Sequence, residues 1–172
     1  MFIWWQYTIT FAGSLIVALV AVLFSHWLSD RRGYRKSLQN LRSEASTNIE
    51  NTKLIKQWID RNLDALKEDK IVVAPCPHLY ESAWFSARGE VSTKDYAIAT
   101  KLEDAYGFLS AVNDLFHTIE ELKWGIGAAM MNSKKREVMV LETIRAIIDE
   151  GLLPNLTDVE TLLEKKLKTV KY

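Results

Sequence analysis

The amino-acid sequence predicts an all-α protein with one N-terminal transmembrane helix followed by an elongated, antiparallel, coiled-coil-like helical bundle. Residues 1–29 contain no Asp, Glu, Lys or Arg and are mostly apolar. Beyond them, apolar side chains recur every three or four positions, which is the period of an amphipathic helix. Few Pro or Gly residues interrupt these stretches. We therefore divide the 172 residues into an anchor (1–29), a basic juxtamembrane flank (30–36) and a cytoplasmic helical bundle (37–172).

The uncharged N-terminal stretch is the predicted single-pass membrane anchor. The hydrocarbon core of a bilayer is about 30 Å thick, and about 20 apolar residues cross it as a helix. The segment from Trp5 to Trp27 is long enough, and Trp5, Tyr7 and Trp27 would lie at the two interfaces as membrane aromatic residues do. A cleaved signal peptide is the alternative, but the basic start and small-residue cleavage site of such a peptide are missing.

Basic residues predict the orientation of this anchor. Arg31, Arg32, Arg35 and Lys36 follow it, and no Lys or Arg precedes it. By the positive-inside rule the protein would lie in the cell membrane with its N-terminus outside and its C-terminal domain in the cytoplasm. A single cysteine suits that reducing compartment. After Lys36 the acidic residues outnumber the basic ones, which argues against nucleic-acid binding.

Three helical stretches of similar length predict the bundle: Ser37–Lys67, Thr93–Trp124 and Lys134–Val170. We expect the first helix to leave the membrane, the second to return to it, and the third, broken at Gly151 and Pro154, to complete an antiparallel bundle. A short helix that ends at Gly89 would lie between the first two.

This direction of the chain would bring the end of the second long helix back to the bilayer. The segment that follows is uncharged and then strongly basic, a composition that suits lipid headgroups. An ordinary turn packed between helices is the alternative. The candidates for contact with the membrane surface are Trp124, Met130, Met131, Lys134, Lys135 and Arg136.

The segment A-P-C-P-H around Cys76 is the main candidate for a metal-binding or thiol-dependent site. Cys76, His78 and, from the second long helix, His117 could provide three ligands of a metal site or a thiol-dependent site. A zinc site commonly uses four ligands, and the two neighbouring prolines also predict a rigid turn. We favour the turn, and we infer no cofactor and no catalytic residue.

The sequence contains no phosphate-binding glycine loop, nucleophile elbow or zinc-protease motif. It therefore predicts a non-enzymatic, membrane-anchored protein that acts as a protein-interaction or scaffold module. Its partners would be the lipid bilayer and an unidentified protein or a second copy of itself, with no small-molecule substrate. The alternative is the membrane-tethered metal or thiol site at Cys76, His78 and His117.

Several short motifs resemble those of a loose set of small single-pass microbial membrane proteins that have a cytoplasmic helical domain and no assigned function. The resemblance implies the same division into anchor and helical domain, and it implies no activity. The residues that carry it are Glu44-x-x-x-Asn48, Ser82-Ala83-Trp84-x-x-Ala87-x-Gly89, Ala105-Tyr106 and Asn113.

Overall fold

The computed structural model describes residues 2–68, 78–123 and 133–170, with side chains from Val17 onward except those of residues 122, 123 and 133. Within these ranges all regular structure is helical, which confirms the all-α prediction and the helical bundle. The elements are α1 (Phe2–Lys67), α2 (Ser82–Lys94), α3 (Tyr96–Lys123), α4 (Ser133–Ile147), a π-helical turn (Ile148–Leu152) and α5 (Leu153–Thr169).

Helix α1 is a single helix of 66 residues, about 99 Å long at the usual rise per residue. It has no proline, and Gly33 alone does not interrupt it, since one glycine costs a helix only about 1 kcal/mol. From Tyr34 onward a stripe with alternating steps of four and three residues faces the interior of the bundle. We call these residues the buried stripe: Tyr34, Leu38, Leu41, Ala45, Asn48, Thr52, Ile55, Ile59 and Asn62.

Helix α2 runs antiparallel to α1. Its first residue, Ser82, donates a hydrogen bond to Glu44, whereas its last residue, Lys94, forms an ion pair with Asp30 at 3.3 Å. The helix continues through Gly89 to Lys94 because one of its faces is buried, up to and including Val91. The predicted end of this helix at Gly89 is therefore wrong.

Helix α3 runs parallel to α1, because α2 has already brought the chain back. Tyr106 of α3 contacts Glu44, and further along Phe116 packs edge-on against Trp58, with ring centroids 5.7 Å apart. The expectation that this helix returns toward the N-terminal segment is wrong. Its end at Lys123 lies at the opposite end of the bundle from Asp30.

The last helical leg, α4 to α5, runs antiparallel to α1. Arg145 contacts Asp60 at 3.3 Å near one end, and near the other Arg35 donates to the carbonyl of Val170 at 3.1 Å. The four segments therefore pass up, down, up and down, with α2 much the shortest.

Pro154 does not break this leg, contrary to the prediction. Proline has no N–H to offer the carbonyl four residues earlier, and its ring would clash with that carbonyl in a regular α-helix. The π turn just before it widens the helix: the Leu153 N–H bonds to the carbonyl of Ile148, five residues back. Tertiary contacts keep the leg continuous, since Ile148, Gly151 and Leu152 in the turn are all buried.

The core runs along the interior of the bundle and draws on every helix. Fully burying a side chain of Leu or Ile size stabilises a fold by roughly 1.5–3 kcal/mol. The largest fully buried side chains are Leu38, Leu41, Ile55, Ile59, Leu102, Leu109, Leu141, Ile144, Ile148, Leu152, Leu156 and Leu163.

The predicted transmembrane helix is wrong, together with the single-pass topology and cell-membrane localisation that depended on it. In the part of the chain that the structure describes, no helix is long and apolar enough to cross a membrane.

The residues assigned to the anchor and its flank have other surroundings in the structure. Arg31 lies over the exposed ring of Trp27, with 4.4 Å between guanidinium carbon and ring centroid. Arg35 contacts the end of α5, and Arg32 and Lys36 are exposed. The side chains of Trp5 and Tyr7 lie outside the described residues.

Candidate functional site: a polar cluster and an uncovered helix end

Four polar side chains of α1 are buried: Glu44, Asn48, Thr52 and Asn62. The Thr52 hydroxyl donates to the carbonyl of Asn48, and the Asn62 amide donates to that of Trp58, so both are satisfied within the helix. Glu44 and Asn48 instead reach other segments, and they organise a polar cluster between α1, α2 and α3.

The Glu44 carboxylate caps the start of α2. One of its oxygens accepts the Ala83 N–H at 2.7 Å and the Ser82 hydroxyl at 3.0 Å. The other accepts the Tyr106 hydroxyl at 2.7 Å and the Trp84 N–H at 3.4 Å. The first N–H groups of a helix lack internal partners and favour negative charge. Because the residue before α2 supplies no side-chain cap, a residue of α1 does so.

Three asparagines hold the segment that enters α2, residues 78–81, which we call the connector. The amide of Asn48 donates to the Tyr80 carbonyl at 2.7 Å, and its oxygen accepts the Tyr80 N–H at 2.8 Å. The Asn51 amide donates to the His78 carbonyl at 2.7 Å. From α3, the Asn113 amide donates to a Glu81 carboxylate oxygen at 3.1 Å.

The electrostatics of the cluster keep Tyr106 protonated. Burial above all, and then the neighbouring Glu44 carboxylate, raise the pKa of Tyr106 far above its usual value. The hydroxyl is therefore a permanent donor. A carboxylate has about four acceptor positions, and Glu44 receives four donors. We infer that the cluster fastens three helices together and leaves Glu44 no acceptor position for a substrate proton.

Two shallow grooves lie on either side of the exposed face of α1. One, of about 570 Å³, is bounded by the start of α2 and has Ser43 and Thr47 on its α1 side. The other, of about 890 Å³, lies between α1 and α5 and contains the same two residues together with Glu50. Both are open to solvent.

The predicted metal or thiol site is only partly within the described residues. Cys76 lies outside them. The side chains of His78 and His117 are exposed, on the connector and on α3. In the described ranges no group of three or more His, Cys, Asp or Glu residues is placed to hold a metal ion. The site at Cys76 stays a prediction.

Only part of the predicted membrane-surface segment lies within the described residues. Trp124, Met130 and Met131 lie outside the described residues, whereas Lys134, Lys135 and Arg136 are exposed in the first turn of α4. The antiparallel course of the last leg puts that turn at the end of the bundle far from Asp30. The membrane contact was predicted because the second long helix was expected to return to the bilayer. Since it runs the other way, that reason no longer supports the contact.

Sequence reasoning did not single out the uncovered end of the buried stripe. Continued toward the N-terminus with the same steps, the stripe reaches Arg31, Trp27, Phe24 and Val20. The side chains of Val20, Phe24 and Trp27 are 57%, 60% and 47% exposed, because α2, α3 and α5 do not extend past Asp30. Leu19, Val22 and Leu23, which are not part of the stripe, are exposed to a similar extent. The rings of Phe24 and Trp27 stack on each other at 5.6 Å. We call Val20, Phe24 and Trp27 the uncovered end.

The polar cluster contains several residues of the quoted motifs, among them Glu44, Asn48, Ser82, Tyr106 and Asn113. Comparison with protein-family models, with curated proteins and with solved structures gives no match to this chain.

Proposed function

We propose that the protein is a non-enzymatic helical interaction module, and that the uncovered end of α1 binds an apolar helix of another protein. One observation carries this proposal: the stripe that is buried from Tyr34 onward continues, in the same register, as exposed Val20, Phe24 and Trp27.

The continuity of the stripe indicates the kind of partner. Inside the bundle, side chains at these steps are covered by neighbouring helices of the same chain. Lys94 of α2, for example, lies over the ring of Tyr34, 5.2 Å from its centroid. A helix from a partner would continue that interface beyond Asp30. Since Val, Phe and Trp bury large apolar areas, an apolar helical face suits them and a polar loop does not.

A photocrosslinking amino acid at position 24, in the full chain in its native cells, tests the proposal. We expect adducts to one protein, mapped to one face of an amphipathic helix. The substitution Val20→Asp should reduce their yield about tenfold, because a charge cannot be buried unpaired at an apolar interface. A purified peptide of the mapped helix should then bind the chain and fail to bind the Val20→Asp variant.

The matched control is the same crosslinker at Glu120, which is exposed near the opposite end of α3. Equal adducts from both positions would contradict the proposal. Adducts only to phospholipid, adducts only to a second copy of the chain, or no adducts at position 24 would contradict it as well.

A further inference from the structure

The face of α1 opposite the buried stripe is exposed along the length of the bundle. No helix of the described chain covers this face, and the two grooves lie on either side of its middle. Its residues follow helical steps of three and four, so they form one continuous line. This exposed stripe consists of Arg32, Lys36, Gln39, Ser43, Thr47, Glu50 and Leu54.

The exposed stripe has three charged residues, and none has an ion-pair partner among the described residues: Arg32, Lys36 and Glu50. Charges close to them are paired, for example Arg42 with Glu164 at 3.8 Å. Lys36 lies two helical turns before Ser43, and Glu50 lies two turns after it. The stripe is therefore self-complementary under a two-fold rotation about an axis through Ser43.

We propose that two copies of the chain associate through the exposed stripe, with their α1 helices antiparallel and Ser43 at the two-fold axis. Lys36 of each copy then faces Glu50 of the other, and Gln39 faces Thr47. The same patch is used on both copies, as in an isologous dimer. The small side chain of Ser43 allows the helices to approach closely where they cross.

The charge pattern also selects antiparallel over parallel association. In a parallel pair every residue of the stripe would face itself, so that Lys36 would oppose Lys36, Glu50 would oppose Glu50, and Arg32 would oppose Arg32. Like charges in such positions repel. The antiparallel arrangement replaces the repulsions at Lys36 and Glu50 by attractions, and it places Arg32 opposite the uncharged Leu54.

The charged residues of helix α5, which borders the larger groove, are arranged about the same proposed two-fold axis. Glu164 contacts Arg42, the residue next to Ser43, so it lies close to the proposed axis. Glu160 and Lys168 lie one turn on either side of Glu164, and all three border the groove. The rotation that pairs Lys36 with Glu50 therefore also brings Glu160 of one copy toward Lys168 of the other, although Lys168 already pairs with Glu164 of its own chain at 3.0 Å.

Sedimentation equilibrium of the full chain, wild type and charge-swapped, tests the association. Lys36→Glu turns two attractions per dimer into repulsions, and so does Glu50→Lys. We expect each to weaken dimerisation about tenfold or more, and we expect the double variant to return within about threefold of wild type. Lys101→Glu on α3 is the control, with no effect expected. A chain that stays monomeric, or a double variant that is no tighter than the single ones, would overturn the proposal.

Cysteine crosslinking tests the direction, in a Cys76→Ser background. Chains with Lys36→Cys should crosslink to chains with Glu50→Cys when the two are mixed. Lys36→Cys chains alone should not crosslink, since the two positions 36 would be about 21 Å apart along the helices. Crosslinking of Lys36→Cys to itself would establish a parallel pair and contradict the proposal. The uncovered end lies on the opposite face of α1, so either proposal can fail without the other.

Discussion

The hydroxyl of Tyr106 on α3 donates a 2.7 Å hydrogen bond to the carboxylate of Glu44 on α1, and both residues are buried. The same carboxylate binds the first N–H groups of α2. A single side chain therefore joins three helices, where an apolar residue could join them only by packing. Loss of its charge should weaken all of these contacts together.

Replacement of Glu44 by Gln should lower the free energy of unfolding by about 2–3 kcal/mol. The amide keeps one acceptor oxygen, and its NH₂ group meets donors that it cannot satisfy, which leaves buried polar groups unpaired. Urea unfolding of the full chain measures the change. Glu120→Gln, at an exposed position on α3, is the control and should stay within about 0.5 kcal/mol of wild type. Equal midpoints for the two variants would refute the capping role of Glu44.

Ionisation of Tyr34 should contribute to the loss of stability in alkali, alongside that of Tyr106. Its hydroxyl is buried and has no hydrogen-bond partner among the described residues. Burial above all, and then the charges of Asp95 and Glu90, raise the pKa of Tyr34 to about 12. This pKa is higher in the folded state than the unfolded value of about 10. The contribution of the neutral Tyr34 hydroxyl to the free energy of unfolding is therefore fully present below pH 10. It is lost as the pH rises from about 10 to about 12.

The substitution Tyr34→Phe separates the cost of the unpaired hydroxyl at pH 7 from the loss of stability that its ionisation causes in alkali. At pH 7 we expect it to leave the free energy of unfolding unchanged or to raise it by up to about 1 kcal/mol, because it removes an unpaired polar group. The loss of stability between pH 10 and 12 should become shallower. Urea midpoints across this range measure both effects, with Tyr96→Phe as the exposed control. A loss of more than about 1 kcal/mol at pH 7 would mean that the hydroxyl is bonded.

Gly151 in the π turn has no room for a side chain. A Cβ atom built there would lie 2.6 Å from the Cε1 atom of the Phe108 ring. Gly151→Ala should therefore lower the free energy of unfolding by about 1–3 kcal/mol, and Phe108→Ala in the same chain should relieve most of that cost.

A double-mutant cycle measured by thermal unfolding isolates this clash. The control is Gly89→Ala in α2, where nothing lies within 4 Å of the added atom. It should stabilise the protein by about 0.5–1 kcal/mol, since alanine favours a helix more than glycine does. Strictly additive effects of Gly151→Ala and Phe108→Ala would show that the ring moves aside without cost.

Apolar periodicity predicted much of the bundle. Leu38, Leu41 and Ile55 are buried as their spacing indicates, and the described helix α3, Tyr96–Lys123, lies within the second predicted long helix. The direction of α3 could not be obtained in this way, because periodicity contains no information on how many times the chain turns. It depended on whether α2 crosses Gly89, and buried contacts at Trp84 and Val91 decide that.

The polar cluster was beyond single-sequence reasoning for a different reason. The middle of the first helix is rich in polar residues, yet Glu44 and Asn48 are among its buried residues. Their partners, Tyr80 and Tyr106, lie 32 and 62 residues away in the sequence. A buried carboxylate is favourable only when donors surround it, and a pattern of residue types does not place donors.

Asn48 recognises the connector in the way that one strand of a sheet recognises its neighbour. Its carboxamide replaces a peptide group and pairs with both the N–H and the C=O of Tyr80, and Asn51 takes the carbonyl of His78. All three bonds go to groups that almost every amino acid possesses. The identities of residues 78 and 80 are therefore free to drift, provided that proline, which lacks the N–H, stays out of position 80. These contacts therefore require the asparagine side chains of α1 and place no such requirement on the side chains of residues 78 and 80.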